Sequence, residues 1–281
     1  ELDNGTYEEP AKVTLSEWLD IWLSEYLSSV KPHTKKSYEA TIQNHIKPVL
    51  GKKTLRELNP VNIQQFVNHL QNQKRGDKAL NPKTVKNIHG VLHSSLQQAV
   101  RIGYLKSNPA SLTILPKRVK TEISPLQDEQ VTKFLCAIKG HPFETIYLVD
   151  LFTGLRQSEL LGLKWEDVNF ERGSITIRRQ LQFLGHKYGG YRLTTPKNNK
   201  TRQIVPATFV MDTLRRQWRK QLELRLAAGA AWKNSEELVF TDEVGNHLKH
   251  DLIYRQLKRI FVQMGVPALR FHDLRHSYAV L

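Results

Sequence analysis

The chain has 281 residues, a length that suggests about two domains. Its 42 Lys and Arg outnumber 27 Asp and Glu for a formal charge of +15. With 40% hydrophobic and 25% charged residues it has the balance of a folded globular chain, which excludes a disordered or low-complexity protein. No apolar run approaches the ~18 residues of a membrane span, and no basic-then-apolar leader opens the chain.

Thr14 and Glu17 form a capping-box pattern ahead of the stripe Leu15, Trp18, Leu19, Trp22, Leu23 and Tyr26, which predicts an amphipathic helix. A second helix is expected after Pro32, with Tyr38, Ile42 and Ile46 at four-residue spacing, and a third carries Ile63, Phe66, Val67 and Leu70. Asn81 as cap and Pro82 in the first turn open a fourth, whose core face is Val85, Ile88, Leu92, Leu96 and Ala99. Residues 11–105 therefore read as an all-helical domain with little β character. The back of the fourth helix presents Lys83, Lys86, Gly90, Ser94, Gln97 and Arg101. Small residues between basic ones suit close approach to a phosphate backbone, although a solvated face has the same pattern. Pro116 and Pro125 bracket a basic, non-periodic stretch with Lys117, Arg118 and Lys120, an extended linker in this reading. Two domains so joined could close on a duplex as a clamp.

Further on, residues 127–138 and 142–152 read as helices, the second apolar all round and so buried. Even spacing of Ile175, Ile177, Leu181 and Phe183 predicts a strand over 174–183, with Arg179 breaking the series. Residues 191–195 and 202–206 read as two arms of a hairpin with Lys197, Asn198, Asn199 and Lys200 at its tip. A helix over 208–226 runs along Leu214, Trp218 and Leu222. Leu238–Phe240 reads as a short strand, another helix carries Ile253, Leu257, Ile260, Phe261 and Met264, and a last one begins near His272.

Positive charge is spread over both halves: residues 1–116 carry 15 basic and 10 acidic side chains, residues 117–281 carry 27 and 17. A polyanion such as DNA or RNA suits such a surface. The single cysteine, Cys136, excludes an internal disulfide framework and a cysteine zinc site, and fits a reducing compartment.

Three stretches carry chemistry. In Thr153–Trp165, Gly154 ends one helix and Arg156 starts the next, where a forked donor at a helix N-terminus suits a phosphate; a structural pairing of Arg156 with a glutamate is the alternative. In His272–His276, His272 and Arg275 are three apart and share a helix face, so that a guanidinium could hold charge while an imidazole moves a proton. His272 and His276 also have the spacing of paired zinc ligands, but Asp273 stands where the zinc-protease pattern needs Glu, and no third ligand is evident. The third stretch is the lysine tip, with Lys197 and Lys200 either solvated or placed to protonate a leaving oxygen.

Together these stretches, in this order and spacing, resemble the tyrosine recombinases of the phage-integrase family, and in particular the integrases of bacterial conjugative transposons. The resemblance runs from about Thr14 to Leu281. It implies an all-α core-binding domain (1–115), a basic linker (116–125) and a mixed α/β catalytic domain, mainly α with a small antiparallel sheet (126–281). It implies that Arg156 and Arg275 clamp the scissile phosphate, that Lys197, or its competitor Lys200, is the general acid, that His272 assists proton transfer, and that Glu159 buttresses the site. His276, Trp165 and Tyr278 are expected to be packing residues, Tyr278 in the core. The DNA-facing residues would be Lys83, Lys86, Ser94, Arg101, Lys117, Arg118, Lys120 and Lys200. No cofactor or metal is implied. The implied partners are double-stranded DNA at a mobile element's recombination site, other copies of the chain in a synaptic tetramer and an accessory excision factor, in the bacterial cytoplasm at the nucleoid.

The family's nucleophilic tyrosine should follow Arg275 at a greater distance than the six residues that remain, and the family's amino-terminal arm-site domain is not matched. The expectation is a stretch that binds DNA without cleaving it. Rival readings are a non-catalytic DNA-binding protein on the same fold, a metal-dependent nuclease or protease using His272 and His276, and a type IB topoisomerase.

Overall fold

Thr14 and Glu17 cap α1 (Leu15–Glu25) reciprocally: the Thr14 N–H donates to Glu17 Oε2 at 2.8 Å, and the Glu17 N–H to Thr14 Oγ1 at 3.3 Å. The computed structural model describes residues 12–75, 78–117, 125–186, 189–196 and 199–278. The chain divides into two compact units between residues 120 and 121, each with its own hydrophobic core.

In the first unit, α1 buries Leu15, Trp18, Leu19, Trp22 and Leu23, while Tyr26 stays exposed at the edge of the stripe. The second expected helix is three segments in series. α2 (Pro32–Thr41) widens into a π-helical turn at Ile42–Ile46 and continues as α3 (Lys47–Leu50). Ile42 and Ile46 are fully buried, so the wider turn keeps both on the core side. α4 (Pro60–Asn72) is capped by Asn59, whose Oδ1 accepts from the Asn62 N–H at 2.9 Å. A two-rung hairpin, β1 (Lys74–Arg75) and β2 (Lys78–Ala79), interrupts the otherwise helical unit. α5 (Pro82–Arg101) is capped by Asn81 and buries the expected face. It anchors α1 where the Trp18 indole N–H donates to the Ser95 carbonyl at 3.1 Å, a buried donor that must be satisfied.

The second unit is built on α7 (Glu144–Thr153), which α6 (Asp128–Ile138) and α9 (Thr208–Ala228) flank. The short α8 (Gln157–Leu161) follows, and α10 (His250–Gln263) and α11 (Phe271–Tyr278) close the unit. Strands β3 (Val168–Asn169), β4 (Ser174–Ile177) and β7 (Arg202–Ile204) make one antiparallel sheet in the order β3-β4-β7. Strands β5 (Gln180–Phe183) and β6 (Tyr191–Thr194) make a second. Among the described residues no helix is long and apolar enough to cross a membrane.

Four expectations need correction. The 174–183 segment is two strands in two sheets, because the chain turns off at Arg178 and Arg179, and the Arg179 guanidinium is held by Glu166 at 2.6 Å and Asp167 at 3.4 Å. Residues 191–195 and 202–206 do not pair with each other. β6 pairs with β5 (Leu181 opposite Leu193), and β7 pairs with β4 (Ile175 opposite Ile204). Leu238–Phe240 makes only an isolated bridge to Lys164. Along α9 only Leu214 of the expected stripe is buried; Trp218 and Leu222 are partly exposed.

Candidate active site

The C-terminal turn of α7 is the base of the site. Gly154 ends the helix in the left-handed region (φ +57°), its N–H donating to the Asp150 carbonyl at 2.9 Å. A Cβ at Gly154 would stand 2.5 Å from Cδ1 of Tyr278, so the ring of Tyr278 lies flush on this glycine. Tyr278 is nevertheless 47% exposed, which corrects its expected place in the core. Gly154→Ala combines a strained φ with this collision and should cost about 1–3 kcal/mol, read as a lower midpoint in urea denaturation.

Arg156 occupies the cap position of α8, and Glu159 is the helix's third residue. The Glu159 carboxylate accepts from the Arg156 N–H at 3.1 Å and from Arg156 Nη1 at 2.6 Å. A second guanidinium arrives from β7: Arg202 Nη1 and Nη2 donate to the two Glu159 oxygens at 3.1 and 2.6 Å. The Glu159 side chain is fully buried, whereas those of Arg156 and Arg202 remain about a third exposed. Burial would push Glu159 upward, but the hydrogen bonds from Arg202 and Arg156 outweigh it and draw its carboxyl down to about 2. The expected structural pairing and the expected functional exposure of Arg156 thus coexist, with one edge of its guanidinium on Glu159 and the rest of the head reaching solvent.

α11 brings the third guanidinium. Arg275 Nη1 donates to the Gly154 carbonyl at 2.5 Å, which fixes α11 to the end of α7. Burial and the charge of Arg156 lower the Arg275 pKa, with Glu159 acting the other way. His272, one turn earlier on α11, is also lowered, by burial first, then by His276 and Arg275. The shift favours the neutral imidazole, which can donate or accept a proton. Its ring meets that of His276 edge to face at 4.7 Å. Two guanidiniums therefore bond one ionised glutamate, and a third, Arg275, lies near enough to feel its charge, so that the cluster carries more positive than negative charge.

Of the sequence-predicted residues, Arg156, Glu159, His272 and Arg275 gather here. Lys197 lies outside the described residues, as do Arg118 and Lys120 of the linker. Lys200 is exposed on the segment between β6 and β7, next to Asn199 in the left-handed region (φ +53°). Lys83, Ser94 and Arg101 are exposed along the back of α5, Lys86 is partly buried there, and Lys117 is exposed. Trp165 is a packing residue, its indole N–H donating to Gln221 Oε1 at 2.6 Å.

Two residues escaped the sequence reading. Arg202 was hidden as the first residue of a strand, opposite Ile177. Its nearness to Lys200, with Gln203 directly after it, made it look like one more solvated cation. Asp150 was hidden by the apolar run around it, although an acid in a helix buried all round is itself a signal.

Residues 124–280 match the phage integrase family, and residues 14–71 match the phage integrase N-terminal SAM-like domain. The chain belongs to the phage integrase family, the tyrosine recombinases. A "Tyrosine recombinase XerC-like" protein of Caldanaerobacter subterraneus subsp. tengcongensis is 31% identical over 99% of this chain and 74% of its own length. Among solved structures, the Tn1549 transposon integrase in complex with a circular intermediate DNA shares the fold at a TM-score of 0.78 and 19% identity, over 95% of this chain and 85% of that one. A lambda integrase tetramer bound to a Holliday junction matches at 0.66 and 19% identity, over all of this chain and 78% of that one.

Proposed function

We propose that the protein is a site-specific DNA recombinase that cuts and rejoins duplex DNA to integrate and excise a mobile element. The observation that carries this is the meeting of Arg156, Arg275 and His272, distant in sequence, at the junction of α7, α8 and α11. In this reading Arg156 and Arg275 hold the non-bridging oxygens of the scissile phosphate. Their charge is worth most on the pentacoordinate transition state, which carries more negative charge than the diester. A tyrosine hydroxyl, the family's nucleophile, attacks phosphorus while neutral His272 assists its deprotonation. The P–O5′ bond breaks, and the leaving 5′ oxygen takes a proton from Lys197 or Lys200. The product is a 3′-phosphotyrosyl link with a free 5′ hydroxyl, which conserves the bond for rejoining without a high-energy cofactor.

In this reading residues 1–115 are the core-binding domain, residues 116–125 are the linker, and residues 126–281 are the catalytic domain. Lys83, Lys86, Ser94 and Arg101 of α5 lie on DNA, with Lys117, Arg118, Lys120 and Lys200 as further phosphate contacts. The working assembly is a tetramer on two duplexes at the nucleoid, with an accessory excision factor as a further partner.

Phosphate contacts release counterions, so affinity for a duplex should fall steeply with salt. Replacing Lys83 or Arg101 with Ala should weaken binding and reduce the slope of log K against log salt by about 1 each. Fluorescence anisotropy over a salt series reads this. Unchanged slopes would remove α5 from the DNA interface. The assay for the reaction is an SDS-resistant protein–DNA adduct on a nicked recombination site, expected of a protein that includes the family's tyrosine and not of these 281 residues alone.

A further inference from the structure

Asp150 lies one helical turn before Gly154, entirely buried. Neither of its carboxyl oxygens has a hydrogen-bond partner among the described residues. Its main-chain carbonyl receives the Gly154 N–H, and the Gly154 carbonyl receives Arg275 Nη1. One turn of α7 thus carries both the acceptor that holds Arg275 and an unpartnered acid.

The elements beside this turn add to its surroundings. α11 brings Arg275 and the His272–His276 ring pair. α8 brings ionised Glu159 with Arg156, and β7 brings Arg202. α6 and α9 turn aromatic side chains to α7, Phe134 against Tyr147 and Phe209 against Phe152. An ionised carboxylate without hydrogen bonds in such a place is costly, and the usual response is to keep the proton. Burial raises the Asp150 pKa well above the carboxylate range, the charge of Arg275 opposes this, and Glu159 reinforces it. A neutral Asp150 leaves the full charge of Arg275 to face solvent or ligand. An ionised Asp150 would neutralise that guanidinium from behind.

We propose that Asp150 is a positioning residue for Arg275: protonated, it leaves the guanidinium free for a phosphate oxygen, and deprotonated it draws that charge inward. The inference rests on the reading that Arg275 holds a DNA phosphate. It makes binding of DNA and retention of the Asp150 proton linked events, each favouring the other.

The sign follows directly. A phosphate next to Arg275 disfavours the Asp150 anion, so affinity is full below the raised pKa and declines as pH rises through it. The experiment measures affinity of the 281-residue chain, D150N and R275A for a fluorescein-labelled duplex of mixed sequence, at fixed ionic strength, from pH 6 to 9. The expected result is that, across the pH interval in which the Asp150 13Cγ resonance titrates, wild type loses about tenfold more affinity than D150N, within the ordinary range for two coupled sites. An asparagine that only filled the same space would leave the two profiles parallel. Parallel profiles with R275A still weakening binding would overturn the role of Asp150 and leave the phosphate reading intact. R275A without effect at any pH would overturn both. Where D150N does not fold, the Asp150 13Cγ resonance in wild type decides. A proton retained above the carboxylate range, and held to higher pH when the duplex is added, supports the proposal. A carboxylate resonance at every pH from 5 upward overturns it.

Discussion

In a protein that includes the family's nucleophilic tyrosine, Arg156→Ala should reduce strand cleavage by about 10²–10³-fold, the loss that follows removal of one preorganised donor from a developing oxyanion. The cause is local. Arg156 is held from behind by Glu159 at 2.6 Å, so its guanidinium is already oriented before a phosphate arrives and spends little on reorganisation. Binding of the duplex should fall only a few-fold, because most of the affinity comes from phosphates spread along the rest of the surface. Adduct formation on a nicked site, measured beside anisotropy on the same duplex, separates the two quantities. Arg156→Lys should recover binding but little cleavage, since a single ammonium does not reproduce the fork that touches Glu159 and phosphate together. Equal loss of binding and cleavage would make Arg156 a docking residue. A non-catalytic DNA-binding protein on the same fold would show no adduct with any variant.

Glu159→Ala should be among the most destabilising single substitutions in the second unit, by about 3 kcal/mol, because it leaves two guanidiniums crowded beside a third with no anion among them. Glu159→Gln keeps the shape and should fall between. The ion cluster also has a pH signature. The folded-state carboxyl of Glu159 sits at about 2, below its ordinary value near 4.5. Its contribution is therefore complete above the unfolded value and is lost as pH falls from there toward 2. Wild type should shed stability over that acid interval more steeply than Glu159→Ala. Thermal melting at neutral pH and through the acid limb checks both parts, and a variant with the wild-type acid limb would show that Glu159 does not carry it.

Much of the first unit was legible because its helices announce themselves locally. Thr14 with Glu17 and Asn81 with Pro82 give start signals that depend on no distant partner, and the apolar stripes repeat at helical spacing. The π-helical turn at Ile42–Ile46 was not legible, since four-residue spacing fits an ordinary helix as well. The sheets were harder. Even spacing over 174–183 is the same whether one strand continues or two strands part at Arg179, and the ion pairs that decide between them come from Glu166 and Asp167, earlier in the chain. Strand partners are likewise set by packing across the unit rather than by nearness in sequence. At the site, Arg156, Glu159, His272 and Arg275 stood out because short motifs carry them. Arg202 and Asp150 did not, since their roles exist only after β7 and the buried face of α7 have been brought against Glu159 and Arg275.

The segment that carries Lys200 leaves one sheet at Thr194 and enters the other at Arg202. A loop at the tip of a single ladder has its length tied to the register of its two arms, so that adding a residue slips or bulges the pairing. Here each end belongs to a separate ladder with its own neighbour, β5 on one side and β4 on the other. Residues can be added to or removed from the span without disturbing either register. The distance to which Lys200 extends is thus an adjustable dimension of the protein, independent of the framework that holds Arg156 and Arg275.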